Sequence, residues 1–97
     1  MAKIVWTEES LKWLETIADY IAQDNPSAAI KTLEGIYQKV QLLSTNPELG
    51  FRYESVAPHH VRILLYGHYR IAYELRPNDE VDILGVFHAA LDLDRYL

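Results

Sequence analysis

Two arginines, a histidine and a tyrosine are the side chains with the greatest chemical reach in this sequence. Arg62 and Arg70 stand among apolar, β-branched and aromatic residues in the stretch VRILLYGHYRIAYEL, and His88 and Tyr96 follow it. A guanidinium presents a planar fork that matches a carboxylate or a phosphate, so paired arginines suit recognition of an anionic group. An imidazole titrates near neutrality and suits proton transfer, although a histidine at a strand end is more often a hydrogen-bonding edge residue. The structural alternative for the arginines is pairing with Glu74 and Asp82. His59, His60 and His68 suggest zinc, but neighbours in extended backbone point to opposite faces and no cysteine or carboxylate completes a ligand pattern. A solvated histidine loop is expected, with no metal and no cofactor. Gly-rich phosphate cradles, nucleophile elbows and HExxH patterns are absent.

These residues must be carried by strands. Val61–Tyr66, Tyr69–Leu75 and Val81–Phe87 are strand-like runs broken by Gly67-His68 and by Pro77-Asn78-Asp79, which predicts an antiparallel meander. Strict alternation assigns Val61, Ile63, Leu65, Tyr69, Ile71, Tyr73, Leu75, Val81, Ile83 and Phe87 to one face. The opposite face then carries Arg62, Leu64, Tyr66, Arg70, Ala72, Glu74, Asp82, Leu84, Val86 and His88. That second face is too apolar for solvent and too charged for a core, so a partner is expected to cover it. Tyr66 is its best-placed ring for stacking, and the closing LDLDRYL offers Tyr96 and Leu97 as further contacts or as a docked tail.

Upstream, Ile4-Val5-Trp6 predicts a strand, and Thr7 caps a helix that opens with Glu8-Glu9 and ends near Asp24. Leu11, Leu14, Ile17, Ala18 and Ile21 form its apolar stripe, widened by Trp13 and Tyr20. Asn25-Pro26 ends this helix and starts the next, because proline fits only a first turn. The second helix runs to about Leu43 with Ala29, Leu33, Ile36, Val40 and Leu43 as its seam. Gly35 within it points to a close approach. An irregular link through Pro58 leads into the meander. The order strand, helix, helix, three strands predicts an α+β fold: a helical hairpin on one face of a small, mainly antiparallel sheet, forming one domain over residues 1–97.

The chain has 97 residues, 49% of them hydrophobic, and no cysteine. That composition supports a core and excludes disulfides and thiolate chemistry. No apolar run approaches the ~18 residues of a membrane span, and no secretion signal is present, so a cytoplasmic location is expected. A net charge of −5 weighs against binding nucleic acid through phosphates and favours a protein target. The four lysines lie within the first 39 residues and the five arginines from Arg52 onward, leaving a local basic island around the meander.

IVWTEES before a helix, the YIAQDNPSAA junction, the LSTNPELG helix exit, and VRILLYGHYRIAYEL followed by VDILGVFH occur in an order that resembles the RelE/ParE superfamily of type II toxin-antitoxin toxins, closest to the ParE-like branch. The resemblance covers nearly the whole chain. It implies a toxin neutralised by a cognate antitoxin, with DNA gyrase as the target associated with ParE and plasmid stabilisation as a setting. The RelE branch instead cleaves messenger RNA on the ribosome. On that branch Arg62, Arg70 and Tyr96 match expected positions, but Leu64 stands where a lysine is wanted and Ala89-Ala90 where an arginine belongs. The missing arginine favours a non-enzymatic toxin, and the open face and tail read from alternation give its expected partner contacts as Arg62, Leu64, Tyr66, Arg70, Leu84, Val86, His88 and Tyr96. A ribonuclease, or a non-toxic antitoxin-binding relic, is the alternative.

Overall fold

A computed structural model describes residues 1–54 and 60–97. His59, and with it part of the expected histidine loop, lies outside the described residues. The elements are β1 (Lys3–Trp6), α1 (Glu8–Ala22), α2 (Pro26–Gln41), a 3-10 turn at Leu42–Ser44, β2 (Phe51–Arg52), β3 (Val61–Tyr66), β4 (Tyr69–Arg76), β5 (Glu80–His88) and a second 3-10 turn at Leu93–Arg95. The architecture is α+β, as the sequence predicts. The five strands form one mixed sheet in the order β1-β5-β4-β3-β2. β1 runs parallel to β5 with Ile4 opposite Val81, and the other pairs are antiparallel. β2 adds a two-residue edge strand inside the segment expected to be irregular.

Capping explains the helix starts. Thr7 accepts from the Ser10 amide at 3.1 Å, and its own hydroxyl donates to the Ile83 carbonyl at 2.6 Å, pinning α1 to the sheet. Asn25 accepts from the Ala28 amide at 3.1 Å, with Pro26 in the first turn of α2.

Turn length, rather than parity counted along the sequence, sorts the strand side chains. The loop between β3 and β4 is two residues, Gly67-His68, so Tyr66 faces Tyr69 and Leu64 faces Ile71. Gly67 takes a φ of +56°, which this tight turn requires. Even-numbered β3 residues therefore share the face of odd-numbered β4 residues, and the expected assignment of β3 is reversed. In β5, Ala72 faces Gly85 but Tyr73 faces Ile83, so Leu84 is an extra, bulged residue. Beyond it the alternation flips again: Val86 turns to the helices and Phe87 to the reverse.

The helix-side core gathers Ile36, Val40 and Leu43 of the second helical segment with Leu64, Ile71, Tyr73, Val81, Ile83 and Val86. A second cluster lies on the reverse: Val61, Ile63, Ala72, Phe87 and Leu93, with Tyr53, Leu84, Leu91 and Leu97 packed against it. Trp13 touches both. The reverse face is thus roofed across its middle by the chain's own tail, and the expectation of an open face awaiting a partner does not hold. Alternation counts residues within strands and cannot say where LDLDRYL folds back.

Candidate partner-binding surfaces

The residues expected to form one surface are divided between the two sides of the sheet. Arg62 lies on the helix side opposite Tyr73. Its Nη1 donates to the carbonyls of Gly50 at 2.6 Å and Glu48 at 3.2 Å, so it braces the loop leading out of α2. Arg70 pairs with Phe87 on the reverse. Its Nη2 donates to the carbonyls of Ala89 at 2.9 Å and Leu91 at 2.7 Å, holding the tail. The expected cooperation of Arg62 and Arg70 on one face is therefore corrected, because the two-residue loop puts them on opposite sides.

Leu64 and Val86 are buried under the helices and offer nothing to an external partner. Tyr66 points at α2, where a Cβ on Gly35 would overlap its hydroxyl. Leu84 is half-buried in the bulge on the reverse side. His88 is exposed at the strand end; its Nδ1 accepts from the Ala90 amide at 3.1 Å. Its ring stacks on His68 with centroids 6.2 Å apart and meets the Tyr69 ring edge-on at 5.8 Å. Tyr96 is half exposed, its ring 5.2 Å from Trp13 and 5.6 Å from Phe87. Arg62, Arg70, His88 and Tyr96 thus do not converge on one reacting centre.

Glu74 and Asp82 take a different arginine from the expected ones. Arg76 Nη1 lies 2.9 Å from Glu74 Oε1, and its Nε lies 3.7 Å from Asp82 Oδ2. Burial, followed by a hydrogen bond to Glu80 and that residue's charge, pushes the Asp82 carboxyl above its ordinary value. Among the described residues no cluster of three His, Asp or Glu side chains is placed to hold a metal. No described helix is long and apolar enough to cross a membrane.

Sequence reasoning missed an apolar surface on the helical hairpin. Trp6, Leu11, Leu14, Leu33 and Tyr37 line a groove of about 350 Å³ between β1, α1 and α2, with Glu15 at its margin. Leu11 and Tyr37 are 52% and 54% exposed, and Ile30 and Tyr20 on the same two helices are exposed as well. Trp6 and Tyr37 stack with centroids 6.5 Å apart. The signal was present: Ile30, Leu33 and Tyr37 recur at i, i+3 and i+7 beside the core seam of Ala29, Ile36, Val40 and Leu43. Such a groove has the form that takes an amphipathic helix.

A helical hairpin on one side of a mixed five-stranded sheet defines a small α+β fold of the RelE/ParE type. The sequence matches the ParE toxin of type II toxin-antitoxin systems, parDE, over residues 4–93. This chain belongs to that family. Its fold is similar to a solved chain described as the chromosomal ParDE TA system from P. aeruginosa, with a TM-score of 0.75 and 24% identity over 91% of this chain and 96% of that one. A search of curated proteins gives no match.

Proposed function

We propose that this chain is the toxin of a type II pair, neutralised by a cognate antitoxin seated in the hairpin groove, and that when free it inhibits DNA gyrase by binding. The observation that carries the antitoxin surface is the exposed apolar lining of the groove, Leu11 and Tyr37 above all. Aromatic side chains near the centre of an interface carry a large share of binding energy, and an apolar groove of this kind accepts the apolar face of a helix. Binding rather than catalysis is supported by the scatter of Arg62, Arg70, His88 and Tyr96. A ribonuclease would need them gathered about one phosphate. Membership of the ParE family supports gyrase as the target, by analogy.

Co-expression with the small reading frame adjacent to this gene tests the groove. The wild-type chain should arrest growth alone and be rescued by the neighbour's product. Tyr37→Glu should still arrest growth, but rescue should fail. Full rescue of Tyr37→Glu, with the complex intact on a column, would rule out the groove as the antitoxin's seat.

A further inference from the structure

The tail that closes the reverse face is an imperfect ligand for it. Arg70 Nη2 donates to the Ala89 and Leu91 carbonyls, while its Nε–H is buried and meets no acceptor among the described residues. Nε–H and the neighbouring Nη2 hydrogen point the same way, forming the fork that a carboxylate fills side-on. Two peptide carbonyls on Nη2 leave half of that fork idle, and an idle buried donor is destabilising.

Further along the tail, Leu93 is 2% exposed, and Leu97 packs on the same cluster. It does not fill its seat. A cavity of about 870 Å³ remains between the tail, the sheet and the start of α1, lined by Thr7, Trp13, Val61, Leu84 and Tyr96 among others. We propose that the reverse face is a peptide-docking channel, that residues 89–97 are its resident and displaceable occupant, and that its external partner is an extended segment carrying a carboxylate for Arg70 followed by leucine-like side chains. This goes beyond the toxin reading and does not depend on it. Being covalently attached, the tail competes at an effective concentration on the order of millimolar, so the channel stays shut unless the incoming segment uses the idle half of the fork.

Two probes test it: a nonapeptide copying residues 89–97, and the same peptide with Ala90→Glu, which brings a carboxylate next to the carbonyls that Arg70 holds. Both are titrated into the full chain and into its Leu93→Ala variant, following the Trp13 indole signal by NMR. In Leu93→Ala the glutamate peptide should bind at least tenfold more tightly than the copy, and at least tenfold more tightly than it binds the wild-type chain. Adding Arg70→Lys, which keeps the charge and loses the fork, should erase the preference. Equal binding of the two peptides, or no binding to folded Leu93→Ala, would overturn the proposal. Should Leu93→Ala not fold, the two peptides are compared on the wild-type chain at millimolar concentration, with Arg70→Lys as control; a preference for the glutamate peptide that Arg70→Lys erases is then expected, and its absence overturns the proposal.

Discussion

The Gly50 amide donates to the Tyr73 hydroxyl at 2.8 Å, and Gly50 lacks the Cβ that would stand 2.8 Å from that same ring. The hydroxyl in turn donates to the Pro47 carbonyl at 2.8 Å. One phenol on β4 thus ties down the loop between α2 and the sheet, and burial raises its pKa. Tyr73→Phe should cost about 1–3 kcal/mol, because it leaves the Gly50 amide buried without an acceptor. Gly50→Ala should cost about 1–3 kcal/mol through overpacking. Urea unfolding measures both; a loss under about 0.5 kcal/mol for Tyr73→Phe, the lower end for a net hydrogen bond, would contradict the pairing.

Gly35 and Tyr66 should behave non-additively. Alanine at a helix interior is favoured over glycine by about 1 kcal/mol, yet a Cβ at Gly35 would overlap the Tyr66 hydroxyl. Gly35→Ala should therefore destabilise the wild-type chain and stabilise a Tyr66→Ala background. A double-mutant cycle by chemical denaturation checks the change of sign.

Asp82 supplies a pH dependence of defined sign. Its carboxyl is raised above the ordinary 3.8 in the folded chain, by burial first. Between the unfolded and folded values the folded state holds the extra proton, so this group's contribution to stability falls as pH rises through that window. Asp82→Asn mimics the protonated form. Wild-type stability relative to Asp82→Asn should decline as pH rises above the ordinary carboxylate value of 3.8, read as the difference in their melting temperatures; a constant difference would refute the assignment.

The turn between β4 and β5 holds Asn78 and Asp79 at φ values of 67° and 57°. Asparagine and aspartate tolerate this region, and β-branched residues do not. Asp79→Val should cost about 1–2 kcal/mol. Asp79→Gly should be nearly neutral, since relief of strain is offset by the greater freedom of the unfolded chain. Thermal melts of the two variants separate these outcomes.

Much of the fold is legible in the sequence, since Thr7, Asn25-Pro26 and the apolar periodicity of α1 and α2 are local signals. The three meander strands are equally local, being bounded by Gly67-His68 and Pro77-Asn78-Asp79. The facing of side chains is not. Alternation is reset by every odd step in pairing, and the two-residue loop at Gly67 and the bulge at Leu84 each introduce one. The first could be inferred from loop length; the second depends on tertiary packing. Closure of the tail over Val61, Ile63 and Phe87 joins β3 to a segment far along the chain, beyond the reach of any local pattern. The hairpin groove is visible in the spacing of Ile30, Leu33 and Tyr37 and is overshadowed by the core seam beside it.

Supercoiling by purified DNA gyrase, assayed with the purified chain, tests the proposed function most directly. Inhibition is predicted to grow with toxin concentration, to occur without cleavage of messenger RNA, and to be relieved by the product of the adjacent small reading frame. Unaltered supercoiling at large molar excess, together with codon-linked cleavage of messages in translating extracts that disappears on Arg70→Ala, would contradict it.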